Sequence, residues 1–168
     1  MKQYKFITEN RLDTFEYHDA YLNKVSIDDN KMIWEVQFIN VKTTNKNNTY
    51  PVDMCIKEAI IEFEEFKIDK MERMGWRSFD DKNNVIHQEA NYIYQPKEYE
   101  TQLLEITPQD RFIITEANHS ERNDGTFKSL FVVDLLIIEI TYKRAFIKWN
   151  DYIAKAWYVD FNKTKEEE

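Results

Sequence analysis

Glycine, cysteine and proline are scarce in this chain of 168 residues, which holds two, one and three of them. Because Cys55 stands alone, no intramolecular disulfide forms, and a reducing compartment is expected. The two glycines, Gly75 and Gly125, lie 50 positions apart, which excludes the phosphate-cradling loops that need several glycines in one turn. His18, His87 and His119 are scattered, without paired spacing or a cysteine cluster, so the sequence reads as having no metal site and no cofactor. Met1 to Phe6 run into the charged Glu9, Arg11 and Asp13 without an apolar core, which does not read as a secretory signal. Long hydrophobic runs are missing too: Leu130 to Ile138 is broken by Asp134 and falls well short of the roughly 20 residues a spanning helix needs. A cytoplasmic protein without membrane association is the expectation, and three Asn-x-Ser/Thr tripeptides are discarded as chance matches. Cations are the last shortage. Lys and Arg number 23 against 31 Asp and Glu, and the formal charge of -8 opposes non-specific binding to nucleic acid, which requires phosphates to be neutralised.

Core-forming residues, by contrast, are plentiful. Hydrophobic residues make up 42% of the chain and aromatics 15%, too many for a disordered polymer and enough for a core that needs no disulfide or metal. No repeat, low-complexity block or composition shift divides the chain. It reads as one β-rich domain over residues 1–162, followed by a disordered acidic tail over 163–168.

The period of the hydrophobic pattern favours strands. Tyr21 to Ile27 and Met32 to Val41 flank Asp28-Asp29-Asn30-Lys31 as a hairpin, with Met32, Trp34, Val36 and Phe38 on one apolar face. Lys42 to Thr49 reads as an exposed loop. In Val52 to Ile68 the alternation changes phase near Glu58: Met54 and Ile56 share one parity, Ala59, Ile61 and Phe63 the other. We read it as strand with a bulge there, although its Glu and Lys content also suits helix. Val85 to Tyr94 and Tyr99 to Ile106 are weaker strand candidates. Arg111 to Ala117 is a strand, and Asn123-Asp124-Gly125 marks a hairpin. Lys128 to Tyr142, nearly continuous in aliphatics, reads as a central strand covered on both faces, and Ala145 to Trp149 with Ala154 to Phe161 completes a C-terminal meander. With so few glycines, Asn and Asp must occupy the left-handed turn positions. The expected fold is mainly β, an antiparallel meander forming a sandwich or strongly curved sheet with little helix, and an α+β arrangement stays open.

Two stretches stand out. Phe15-Glu16-Tyr17-His18-Asp19-Ala20-Tyr21-Leu22, followed by a hairpin and then Ala59-Ile60-Ile61-Glu62-Phe63, resembles the opening of small bacterial β-rich families, some of them immunity proteins of polymorphic toxin systems. That resemblance implies a family type and no activity. Ile147 to Tyr152 and Ala156-Trp157-Tyr158 form a second aromatic-rich signature without a family attached.

Residues able to do chemistry have bland readings beside the functional ones. His18 and Asp19 could be a base and its orienting carboxylate, but neighbours on a strand face opposite ways, and tying down the chain through backbone hydrogen bonds is the simpler role. Asp134 among aliphatics must find a donor or a rim, or else line a pocket as an acid or base. Cys55 with His18, His87 or His119 could form a nucleophile and base, but no flanking motif supports that, and a lone cysteine usually packs as a small hydrophobe. Trp76, Trp149 and Trp157 suit the core better than an exposed anchor, although the C-terminal aromatic cluster is the best interaction candidate. The leading expectation is a non-catalytic binding protein, of the immunity-inhibitor type, that uses an acidic β-surface to occlude a basic protein partner; His18, Asp19, Trp149, Asn150, Asp151 and Trp157 are its candidate contacts. The alternatives are a small enzyme or ligand-binding domain with a pocket near His18, Asp19 or Asp134, and a subunit that lends an edge strand to an assembly.

Overall fold

The computed structural model describes residues 3–106 and 112–160. The acidic tail expected over 163–168 lies outside the described residues, as do Arg111 and Phe161 of two expected strands.

The chain is mainly antiparallel β. In order it forms β1 (Phe6–Glu9), a 3-10 turn at Leu12–Thr14, β2 (Phe15–Glu16), β3 (Ala20–Asp28), β4 (Lys31–Gln37), β5 (Asn40–Val41), β6 (Met54–Ile56), β7 (Glu58–Glu64), β8 (Lys67–Arg73), β9 (Arg77–Phe79), β10 (Val85–Gln88) and β11 (Tyr92–Ile93). The helix α1 (Tyr99–Leu104) precedes β12 (Phe112–Glu121), β13 (Phe127–Val133), β14 (Leu136–Tyr142), β15 (Arg144–Trp149) and β16 (Tyr152–Lys155). Ten strands make one sheet in the order β1, β15, β7, β4, β3, β12, β13, β14, β8, β11; β16, β6, β5 and β2 make a small second sheet, and β9 with β10 a separate hairpin.

The large sheet folds over onto itself. β7 and β8 are one strand bent at Glu65–Phe66, and β14 and β15 one strand bent at Lys143. The two run side by side across the bend, with Arg144 opposite Glu64 and Thr141 opposite Lys67, and the Lys143 N–H donates to the Glu64 carbonyl at 3.2 Å. From β7 the sheet passes through β4, β3, β12, β13 and β14 and returns to β8, the continuation of β7. A flat sheet would hold β4 and β13 about 14 Å apart, yet the Trp34 and Phe131 rings lie 4.7 Å apart. Inside the curl are Trp34, Ile61, Phe63, Phe131, Ile138, Ile140 and Ile147, all with no exposure. α1 adds Leu103 and Tyr99 to this core, and the small sheet adds Ile56, Val41 and Phe15.

Several expectations hold in detail. The Asp28–Lys31 turn joins β3 to β4, and Gly125 sits at φ 77° between β12 and β13. The phase change near Glu58 is the break at Lys57, where the chain leaves the small sheet for the large one, so Met54, Ile56, Ala59, Ile61 and Phe63 are all buried. Asn10, Asp19, Asp29, Asn83 and Asp134 take left-handed conformations, as the glycine shortage demands.

Other expectations need correction. Lys128 to Tyr142 is two strands, because Asp134 at φ 49° turns the chain between β13 and β14; its carboxylate accepts from the Ile113 N–H at 3.2 Å on the surface. Tyr99–Leu104 is helix, entered through Pro96 and the reciprocal capping of Gln95 and Glu98. Phe38, at φ 61°, leaves the apolar face of β4 for the surface, and Ile39 takes the buried place. The loop after β5 is only partly exposed: Asn45 and Asn48 are buried, with Asn45 bonded to Thr8 and Thr14 and Asn48 to the Val41 and Val52 carbonyls. The last strand ends at Lys155 and a turn follows.

Candidate binding surfaces

Strand alternation puts Trp34 and Val36 into the core, so their neighbours Glu35 and Gln37 face outward from β4. Across the ladder Gln37 stands opposite Glu58 and Glu35 opposite Ile60. A bulge between Leu22 and Lys24 turns Asn23 of β3 toward the same region. The end of β15 brings up Asn150 and Asp151, and Tyr4 closes the rim. Together these residues line a groove of about 460 Å³, in which Glu35, Glu58 and Asp151 supply three carboxylates and Lys57 one cation. Lys24 approaches Glu35 at 3.7 Å. The amides of Asn23, Gln37 and Asn150 add neutral hydrogen-bonding groups, and Asn150 Oδ1 also accepts the Lys5 N–H at 2.9 Å, fixing the N-terminal strand to the groove wall. Carboxylates and amides above an apolar floor suit a guanidinium or ammonium group, whose charge-assisted hydrogen bonds are the stronger kind. Among the described residues, no cluster of three or more His, Cys, Asp or Glu side chains is placed to hold a metal ion.

The residues singled out in the sequence divide between this groove and two other places. Asn150 and Asp151 belong to the groove. Trp149 does not: it is fully buried, stacked on Phe6 at 5.3 Å and edge-on to Phe15 at 5.6 Å, and it works as the wall that joins the two sheets. His18, Asp19 and Trp157 meet on a separate exposed patch. His18 follows β2 in a turn, so it can approach its neighbour: its Nε2 is 3.7 Å from Asp19 Oδ1, its Nδ1 is 3.0 Å from the Thr115 carbonyl, and its ring lies 6.3 Å from Trp157. Tyr158, beside Trp157, donates to Asp53 at 2.7 Å; burial and that bond push its phenol well up. Asp134 is on neither surface. Cys55 is half-buried in β6, and burial raises its thiol pKa, the opposite of what a nucleophile requires.

Comparison with protein-family models, curated proteins and solved structures gives no match.

A further cluster lies at the end of the curl near the 3-10 turn. His119 and Ser129 face each other across β12 and β13, with His119 Nδ1 2.8 Å from Ser129 Oγ and Ser129 Oγ 2.9 Å from the Tyr142 hydroxyl. Burial pushes the imidazole down to about 4 and the Tyr142 phenol up to about 12, so both are neutral near pH 7. His119, Tyr142, Arg11 and Asp13 line a cavity of about 400 Å³, in which Arg11 and Asp13 bond to each other at 3.0 Å. Sequence reading missed this relay, and also Glu35 and Glu58 in the groove. The signal for the relay was present: His119 shares the inward parity of Ala117 on β12, and Ser129 that of Phe131 on β13. Only the strand register says that they meet.

Proposed function

We propose that this chain is a non-catalytic binding module of the immunity-inhibitor type, which captures a basic protein partner in the groove between β4, β7 and Asn150–Asp151. The observation that carries the reading is the groove's lining, in which Glu35, Glu58 and Asp151 supply three carboxylates against Lys57, with Lys24 beside Glu35 at 3.7 Å, in a space of about 460 Å³, large enough for an arginine or lysine side chain with its neighbours. The net charge of -8 adds a field that steers a cationic protein toward any face of the molecule, and the groove gives that protein a place to dock. The likeness of the N-terminal run to immunity families supports the same type of protein. His18, Asp19 and Trp157 form a second exposed aromatic patch that serves as a peripheral contact.

Two charge reversals test this. Glu58→Lys and Asp151→Lys change exposed positions, so the fold should survive, and each should weaken binding of the basic protein recovered from native lysate at least about tenfold. Raising the salt should weaken the native complex as well. Retention of the partner at full affinity by the double variant would place the interface elsewhere.

A second reading has one observation of its own, the His119–Ser129–Tyr142 relay beside a cavity of about 400 Å³. A small neutral polar ligand is the chemistry it would take. A screen of such ligands by thermal shift, with His119→Phe as the control, separates the two readings.

A further inference from the structure

The small sheet carries a polar row on its outer face. Phe15, Val41 and Ile56 of β2, β5 and β6 belong to the core, so pleating turns their neighbours Glu16, Asn40 and Cys55 to the other side. There the three stand in register, Glu16 opposite Asn40 and Asn40 opposite Cys55. The chain after β16 crosses this row as a strap. The Ala156 N–H donates to the Asp53 carbonyl at 2.9 Å, the Val159 N–H to the Ala156 carbonyl at 3.1 Å, and the Tyr158 hydroxyl to Asp53 Oδ2 at 2.7 Å. Asp53 is held in turn, since its Oδ1 accepts the Thr43 N–H at 2.7 Å. Glu16 and Cys55, on either side of Asn40, are both near enough to Tyr158 to help raise its phenol pKa, which places Tyr158 over the row. Ala156 is buried outside the core cluster, under the same strap. Asn40 is 1% exposed, and neither its Oδ1 nor its Nδ2 has a hydrogen-bond partner. Its neighbour Glu16 is engaged elsewhere, with Oε1 accepting the Tyr17 and His18 N–H groups at 3.1 Å. Among the described residues no other side chain encloses two such unpaired atoms. A buried amide in that state is costly to keep, and calls for an explanation in what it binds.

We propose that the strap closes over a binding site whose floor is Asn40, and that the site takes a neutral, planar ring carrying a hydrogen-bond donor beside an acceptor, the chemistry shared by nucleobases and aromatic primary amides. The Asn40 amide presents the complementary pair, an N–H beside a carbonyl oxygen, so one ligand edge satisfies both. Flatness follows from the layer the ligand enters, between a pleated sheet and an aromatic strap. Charge excludes anions, because the carboxylates of Glu16 and Asp53 flank the row and repel a phosphate or a carboxylate. Entry requires the strap to lift, and the Tyr158–Asp53 bond is the latch at its far end. None of Glu16, Asn40, Cys55 and Tyr158 lines the acidic groove, so this site and the groove reading stand or fall separately.

Titration of the purified chain with adenosine and with benzamide tests it, followed by nuclear magnetic resonance at the side-chain amide of Asn40. At least one probe should shift that signal saturably, with a dissociation constant below about 1 mM; adenosine alone assigns the site to nucleobases, benzamide alone to aromatic amides. Asn40→Leu should weaken binding at least about tenfold and raise the melting temperature, because an apolar side chain of similar shape encloses no unpaired polar atoms. Tyr158→Phe, at a half-buried position, removes the latch and should speed alkylation of Cys55, the sole thiol, at least about tenfold with an unchanged circular dichroism spectrum. No shift with either probe at about 10 mM overturns the proposal. So does a folded Asn40→Leu chain of lower melting temperature, which would show the amide bonded within the closed fold. An unchanged alkylation rate in Tyr158→Phe equally overturns it, since the turn would then be a fixed part of the sheet's cover.

Discussion

His119 shows how a single side chain sets a pH dependence. Its folded pKa is about 4, against 6.5 for an exposed histidine, because burial among Tyr17, Phe131 and Ser129 disfavours the charged ring. Between those two values the unfolded chain binds more protons than the folded one, so stability falls as pH falls. The contribution is complete above about pH 6.5 and amounts to about 3 kcal/mol lost by pH 4. Urea midpoints should drop between pH 6.5 and pH 5, before the carboxylates that Lys, Arg and Asn partners hold below their usual range begin to protonate. His119→Phe should flatten that part of the profile; an unchanged slope would mean that the ring gains a counter-charge when protonated. Sequence reading saw His119 only as one of three scattered histidines, because what makes it titrate oddly is enclosure by Tyr17 just after β2 and by Ser129 and Phe131 of β13, all distant in the chain or on another strand. The continuity of the strand at Asp134 was misjudged for the converse reason, although the carboxylate does find the donor that its reading required, the Ile113 N–H. The aliphatic neighbours of Asp134 suggested an interior strand, while a left-handed aspartate turned the chain there.

At the scale of elements, legibility followed the length of the pattern. The β3–β4 and β12–β13 hairpins carry both alternation and turn residues, and both were readable. α1 has only six residues, too few to display a helical period, although Tyr99 and Leu103 are spaced four apart and Pro96 with Glu98 announces a helix start. Phe38 and Glu65 were illegible, since nothing in a phenylalanine or glutamate advertises a positive φ. The β9–β10 hairpin, an arm between β8 and β11 with its root at Gly75, depends on that glycine in a way that can be measured. A Cβ there would lie 2.2 Å from the Glu89 carbonyl oxygen, a backbone atom with little room to give. Gly75→Ala should therefore separate the two strands at the root, cost about 1–3 kcal/mol, and make the arm the first site of proteolysis. An arm as protease-resistant as in the native chain would show that the root relaxes without opening.

For the molecule as a whole, the mainly β character was legible in the hydrophobic pattern and the order in which the strands pair was not. The sequence supports one acidic β-rich domain, and its Asn150-Asp151 signature lies in the groove. Glu35 and Glu58 join that site only because β4 and β7 pair in one particular register across an intervening loop, a fact held by no local stretch of residues. The same long-range pairing governs the bend at Glu65–Phe66 and Lys143. Across the two bent strands, partners stand roughly 60 to 90 positions apart in the chain, from Arg73 and Leu136 to Ala59 and Trp149. Loop entropy makes such contacts slow to form, whereas the hairpins on either side close locally and early. This seam should therefore close after the hairpins, as should the β1–β15 and β3–β12 pairings, whose partners stand farther apart still. Ile147→Val, at a buried seam position, should cost about 1 kcal/mol and speed unfolding about fivefold with refolding nearly unchanged in stopped-flow chevrons. A slowed refolding limb would show the seam forming early instead. Until it closes, the aliphatic face of β13 and β14 is uncovered, so a nascent chain of this protein passes through a window in which its most aggregation-prone strands are its most accessible ones.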